Sequence, residues 1–368
     1  MPEKCYAFQI KFNQCIMIQN PEYLQEARMD CMDPLTPMIW TVKSPQPPIT
    51  DKIMVLGGWT PAPTEILDLG CKNFECPKTL PTRTNLDFQI AGMIGDTPFI
   101  CGGEISGIRD IYGSCVKLEN NELIRVDGYT ALGMGITRAA RGNVVLNGRL
   151  LSSGGYQAGP GFDKGGTTNI DFISAQSNTF IISFDGITKL DMESPAHTDH
   201  CLIKINETTI LSTGGAILNS YESIHQTWWQ NVEALETTNG PTMNQDRSGH
   251  GCATMKFNGK TILMVVGGKN AGKTSEYLDM DEMAWKFGPE LPLAFEFPIA
   301  IASREQNTIF ALSGVAEGKT RDEIYKLKCI GNSMSDCGWD KLDVKLKFAR
   351  AGNIALPISD SLASELCN

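Results

Sequence analysis

The sequence predicts an all-β fold: six repeated antiparallel sheet units joined into one closed ring. Three observations carry this expectation. Apolar runs ending in a glycine doublet recur along the chain, Asn-Gly pairs link apolar strand segments, and the last such segment matches strands that elsewhere begin a unit. Self-similarity at a period of tens of residues denotes units that cannot bury both faces alone and therefore stack on their neighbours.

The doublet runs are Ile53 to Gly58, Pro98 to Gly103, Leu150 to Gly155, Ile210 to Gly215 and Leu263 to Gly268. A sixth, Ile309 to Gly314, carries Ser313 where the others have the first glycine. Asn147-Gly148 and Asn258-Gly259 follow apolar segments that begin near Arg138 and Arg247, and Asn-Gly is the strongest short-range hairpin signal because both residues take φ > 0. After three doublets comes an acidic-apolar strand, at Thr64 to Leu69, Ser275 to Met280 and Asp322 to Leu327. The latter two lead to Trp285 and Trp339.

The first doublet strand has no partner just upstream. Phe348 to Ile358 resembles the strands that begin at Arg138 and Arg247, so the C-terminal strand is expected to become the innermost strand of the first unit. Closure of this kind removes exposed sheet edges. The expected organisation is a cysteine-containing segment with a Pro-rich linker (1–50), the ring (51–358) and a tail (359–368).

These residues resemble the kelch repeat family, in which a doublet glycine ends the second strand, an aromatic lies in the third and a tryptophan in the fourth. Gly267-Gly268, Tyr277 and Trp285 match that pattern best, and the resemblance covers roughly residues 51–358. It implies a six-bladed kelch-type β-propeller of four-stranded blades, closed by pairing of the N- and C-terminal strands. The second, third and fourth units depart from the pattern. A Gly-rich insertion (Tyr156 to Thr168) follows one doublet and Trp228-Trp229 another, which puts their third and fourth strands in doubt.

Twelve cysteines exceed ordinary cytosolic usage. Cys71/Cys76 and Cys329/Cys337 bracket short loops at spacings that match zinc knuckles poorly, so each pair is expected to clip a hairpin by a disulfide. Cys101 and Cys115 flank the second unit's loop. Cys201 and Cys252 sit one residue out of step in equivalent strands, which turns their side chains toward each other between neighbouring units. Cys5, Cys15, Cys31 and Cys367 remain near the ends, enough for two bridges; either one of these ties the N-terminal segment to the tail, or that segment is a disordered remnant of an upstream module. The expected compartment is extracellular, the chain being a mature form or fragment, since Met1 to Cys5 opens no signal peptide. Asn206-Glu-Thr208 is the glycosylation candidate.

The net charge of −10 argues against nucleic-acid binding, and the apolar runs are strand-sized, too short for membrane insertion as helices. The four histidines, His197, His200, His225 and His250, form no convincing metal set beside Cys201 and Cys252. Copper and sialidase signatures of propeller enzymes, serine-nucleophile elbows and phosphate-binding glycine loops find no match, so no catalytic residue, metal or cofactor is expected.

What remains is a set of arginines at the innermost strands: Arg83, Arg138, Arg141, Arg247, Arg304 and Arg350. In kelch proteins that bind peptides, loops at this end line a central pocket, which implies an acidic peptide or carboxylate-bearing glycan as ligand. The competing reading has each arginine capping its blade through a carboxylate or backbone carbonyl in the next one. The leading expectation is thus a secreted, monomeric binding module for a protein or glycan. A mutarotase-like enzyme acting on a small acidic sugar and an intracellular adaptor are the alternatives.

Overall fold

The computed structural model describes residues 51–59, 62–70, 76, 86–87, 89–102, 104–105, 110–111, 115–126, 142–158, 173–175, 177–217 and 222–367. These lie in one compact unit, Thr50–Asn368, and they form a six-bladed β-propeller. Blade 2 comprises Ile90–Ile94, Thr97–Cys101, Cys115–Glu119 and Glu122–Val126, from the axis outward. Blade 3 comprises Asn143–Leu146, Arg149–Ser153, Asn178–Ser183 and Gly186–Glu193, and blade 4 Cys201–Lys204, Thr209–Thr213, Thr227–Asn231 and Glu236–Asn239. Blade 5 is Gly251–Phe257, Lys260–Val266, Ser275–Asp279 and Ala284–Phe287, and blade 6 Ile299–Ala302, Ile309–Leu312, Ile324–Cys329 and Cys337–Lys341. Units 2, 3 and 4 therefore have full four-stranded blades despite their irregular sequences.

Blade 1 closes the ring. Its inner strand, Ile354–Pro357, pairs antiparallel with Lys52–Leu56, in register from Ile53 opposite Pro357 to Leu56 opposite Ile354. Glu65–Asp68 forms its third strand. The six inner strands touch in sequence, from Ile90–Ile94 round to Ile354–Pro357 and back. The ring is thereby closed, and the free edges of the inner strands are short and sheltered within the channel.

Local chemistry explains the elements. Asn147 and Gly148 have φ of 48° and 67°, and Asn258 and Gly259 have 50° and 79°, as a two-residue hairpin turn demands. Asn120 and Asn121 make a further turn of this type between the outer strands of blade 2, with no glycine to announce it. The indole N–H of Trp285 donates to the Pro241 carbonyl (2.8 Å) and that of Trp339 to Pro289 (3.1 Å). Each outer tryptophan thereby fixes the loop arriving from the preceding blade, while its ring joins the apolar layer between blades.

The tail is a helix, α1 (Asp360–Cys367), that places Ala363 and Leu366 against Met54, Ile66 and Leu356 of blade 1. The Ser359 hydroxyl accepts from the Leu362 N–H at its start, which satisfies one of the free amides there. No helix among the described residues is long and apolar enough to cross a membrane.

Four disulfides are present among the described residues. Cys101–Cys115 and Cys329–Cys337 join directly opposite residues of neighbouring strands within blades 2 and 6. Cys201–Cys252 joins the inner strands of blades 4 and 5 across a Cα separation of 6.1 Å. Cys201 stands level with Gly251, and this one-residue offset from Cys252 brings the sulfurs together. The fourth bond corrects two expectations. Cys76 pairs with Cys367 rather than clipping a loop with Cys71, so Cys367 does not reach the N-terminal segment. Helix α1 brings Cys367 to blade 1, whose strands span both ends of the ring. Cys5, Cys15, Cys31 and Cys71 lie outside the described residues.

Cys76–Cys367 spans 291 positions, so opening it releases the largest loop of any of the four. Cys367→Ser is expected to keep the fold but lose about 2–5 kcal/mol in urea unfolding. Peptide mapping of the unreduced protein should recover the Cys76 and Cys367 peptides joined; a Cys71–Cys76 peptide would refute the pairing.

Candidate functional site

The inner strands surround an axial cavity of about 170 Å³, and all six blades contribute to its wall. Its apolar lining includes Ala91, Leu202, Pro298, Ile299, Ile354 and Leu356, together with the Cys201–Cys252 bond. Gln89, Asn143, His250 and Asn353 are its polar side chains among the described residues. Strand pairing explains why polar groups gather at one end. The residue just before each inner strand occupies one equivalent position: Gln89, His200, His250, Pro298 and Asn353 in blades 2, 4, 5, 6 and 1. Gln89, His250, Pro298 and Asn353 form a rim at the cavity's doublet-side mouth, while His200 is buried between blades and does not line it.

The loops leading into this rim are built alike. In four of them the residue before the rim position has positive φ: Asp199 (52°), Gly249 (57°), Phe297 (56°) and Gly352 (67°). Gly249 N–H donates to Asp199 O (2.7 Å) and Phe297 N–H to Gly249 O (2.8 Å), linking three blades through their backbones. Phe297 holds a conformation that costs a bulky residue free energy, and its ring meets Trp59 edge-on at 5.2 Å.

Three residues before the rim sits a second equivalent position, and it decides the fate of two candidate arginines. Arg247 and Arg350 are fully buried. Arg247 donates to Glu276 (2.6 Å), Gly267 O (2.9 Å) and Thr274 O (3.3 Å) within blade 5. Arg350 does the same in blade 1, to Glu65, Gly57 O (3.3 Å) and Pro63 O (3.1 Å). Each glutamate also accepts backbone amides of the same loop, Asn244 and Gln245 at Glu276, Lys347 and Phe348 at Glu65. Burial pushes both guanidiniums below the ordinary arginine pKa, and the adjacent carboxylate opposes the shift. These arginines cap their own blades and present no charge to a ligand.

The same pair of positions carries other chemistry elsewhere. In blade 4 it holds His197 on Trp228, with ring centroids 5.0 Å apart; in blade 6 it holds Phe295 on Tyr325, at 5.7 Å. Ion pair and aromatic pair thus serve one purpose, anchoring the lead-in loop to the third strand. Arg304 is different again. It lies in the turn leaving the inner strand of blade 6, at the opposite mouth, where it is exposed and paired with Asp360 (3.1 Å). It lines a second cavity of about 230 Å³ with Asp51, Lys52 and Asp96. Arg83, Arg138 and Arg141 lie outside the described residues.

His197, His200 and His250 are buried between blades 3, 4 and 5, with the first two rings 3.9 Å apart. Nδ1 of His197 donates to the Pro195 carbonyl (2.5 Å), so its Nε2 accepts from the Ser212 hydroxyl (3.0 Å) and the ring is neutral. Desolvation lowers its pKa from 6.5 to about 4. His200 is driven well below the ordinary value by burial and by the neighbouring imidazoles, His197 and His250. His225 is exposed on Asp246 (2.5 Å) and takes no part in the mouth. No cluster of metal-ligating side chains occurs among the described residues.

Sequence reasoning pointed to arginine and missed the rim. The available signal was positional: each rim residue follows the residue of positive φ that ends a lead-in loop.

No family model and no curated protein matches the chain. Among solved structures 240 chains match. One, described as the structure of YjhT, superposes with a TM-score of 0.59 over 81% of this chain and 99% of that chain, at 12% identity. That likeness concerns the fold.

Two outcomes test this architecture. Arg350→Ala, which strands Glu65 in the interior, should cost about 3–5 kcal/mol in urea unfolding, and R350F/E65Y, the aromatic pair of blade 6, should recover part of it. An R350A variant of unchanged stability would refute the anchoring role. The second outcome concerns pH. Because the folded-state pKa of His197 is depressed, the unfolded chain takes up the proton first as pH falls. Stability is full above pH 6.5 and declines toward pH 4, by about 3 kcal/mol for this group. His200 acts in the same direction. His197→Phe should flatten the slope between pH 6.5 and 4 in denaturant titrations.

Proposed function

We propose that this chain is an extracellular kelch-type propeller that acts as a binding module for a protein or glycan partner, through the doublet-side mouth of its axial channel. One observation carries the reading. Hydrogen-bonding side chains from separate blades, Gln89, Asn143, His250 and Asn353, converge on a single cavity whose other described side chains are apolar. The kelch assignment is supported by the doublets that end the second strands and by Trp285 and Trp339 in the outermost ones. Four disulfides support an oxidising compartment.

Asn206 fits the same compartment. It lies in an exposed hairpin turn of blade 4, where its Oδ1 accepts from Thr208 N (2.9 Å), the Thr208 hydroxyl (3.1 Å) and Thr209 N (2.8 Å). We assign glycosylation to this residue. Residues 1–50, with Cys5, Cys15 and Cys31, form a separate segment in this reading, and the ring acts as a monomer.

An acidic ligand loses support once Arg247 and Arg350 are spent inside their blades. A mutarotase-like enzyme would draw on a cation and a carboxylate opening into the channel. The polar lining described is carboxamide and imidazole, which favours binding over catalysis.

The protein purified from its oxidising compartment should show at least eight of its twelve cysteines blocked to thiol reagent when denatured without reduction. Screened against secreted ectodomains and a glycan array, it should give hits that weaken at least tenfold on His250→Ala or Gln89→Ala and persist in Arg304→Ala. Twelve free thiols, or anomer exchange of a sugar catalysed at the channel, would overturn this reading.

A further inference from the structure

Resting on the reading of the doublet-side mouth as a binding site, we propose that Asn353 receives a carboxamide side chain, glutamine or asparagine, inserted by a protein partner along the channel axis. Asn353 is 4% exposed and lines the cavity, and neither its Oδ1 nor its Nδ2 meets a partner. A buried amide with both functions unused is costly, and such groups are rare where no ligand engages them.

Two neighbouring polar groups are already engaged within the ring. Asn143 donates to Ala91 O (2.6 Å), tying the inner strands of blades 3 and 2, and Nε2 of His250 is bonded to the Thr213 hydroxyl (2.9 Å). Asn353 is also held in place. A side chain at Gly58 would come within 3.3 Å of its Cβ and 3.0 Å of the Ala351 carbonyl, while Arg350, three residues earlier, is fixed on Glu65. An immobile, unused donor and acceptor side by side are the complement of a second carboxamide, which closes a planar pair of N–H···O bonds.

The rest of the cavity selects against alternatives. Pro298, Ile299, Ile354 and Ala355 supply apolar wall suited to the methylenes of glutamine. A carboxylate would bury its charge beside Asn353 with no cation among the described lining residues. A sugar would bring several hydroxyls into a chamber of about 170 Å³ whose lining is largely apolar.

The test uses crystals of the intact protein soaked in butyramide, which copies the glutamine side chain, in isosteric butyrate, or in N-acetylglucosamine, with the same three probes followed by saturation-transfer NMR. Butyramide should occupy the channel with its amide on Asn353, and butyrate should bind at least tenfold more weakly. Asn353→Leu, close in volume, should abolish the butyramide signal while Tm stays level or rises, because an unpaired polar group is removed. Equal binding of butyramide and butyrate, water alone in the channel, undiminished binding to N353L, or N-acetylglucosamine binding without butyramide would each overturn the proposal. A partner that binds wild type and N353L alike would leave the binding module standing and remove only this inference.

Discussion

One backbone contact, repeated from blade to blade, holds the ring together. The amide of the second doublet residue donates to the carbonyl of the anchoring residue in the next blade: Gly155 to His197, Gly215 to Arg247, Gly268 to Phe295 and Gly314 to Arg350, all at 2.8–2.9 Å. The same anchoring residue turns its side chain back into its own blade. Each one therefore couples two blades, through its carbonyl to the one before and through its side chain to the one it opens. Two lead-in loops meet at every doublet described with both neighbours. A Cβ at Gly214 would strike the Arg247 carbonyl, and one at Gly215 the Thr198 carbonyl, at 2.6 and 2.5 Å. The doublet residues also take φ near +60° and +100°, which glycine adopts without penalty. Ser313 shows that the conformation, not the residue, is required: it holds φ of 59° in the one unit that lost a glycine.

This coupling explains why the arginines are structural. An anchoring side chain must fill a slot between its loop and the third strand and satisfy the carbonyls there. Arginine with glutamate does this by hydrogen bonds and charge; phenylalanine with tyrosine does it by ring contact. Once the slot is filled, nothing of the side chain remains for a ligand. In the proposed reading a ligand is met three residues on, at the rim, where the positive-φ residue aims the chain into the channel.

Much of the fold was legible in the sequence because backbone conformations that only a few residues tolerate leave a mark. The doublets and the Asn-Gly turns are such marks, and the match of residues 348–358 to other lead strands revealed closure. The Cys201–Cys252 bond was legible too, since a one-residue offset has a fixed meaning in a strand. The anchoring partners were half visible. Glu65 and Glu276 stand in the acidic-apolar strands of the two units that supply Arg350 and Arg247, but Glu323 in blade 6 has a similar context and falls two residues short of Tyr325, which holds the slot. A two-residue shift keeps the same face, so alternation alone cannot expose it. The Cys76–Cys367 pairing depended on a helix that the tail sequence did not advertise. The rim depended on burial, which turns ordinary amides such as Asn353 into the most exacting groups in the channel.

The order of strands in blade 1 has a consequence for how the protein is made. Its inner strand follows the other five blades in the chain, so during vectorial synthesis Lys52–Leu56 emerges early and must wait, its edge unpaired, until Ile354–Pro357 arrives. A nascent chain in that interval is an open arc with two complementary sticky ends, able to pair with another copy as readily as with itself. The distance along the chain makes closure slow, as pairing between remote segments always is. Whatever compartment assembles this ring must shield the waiting strand first and oxidise Cys76 and Cys367 last, so that the covalent lock records a closure already achieved.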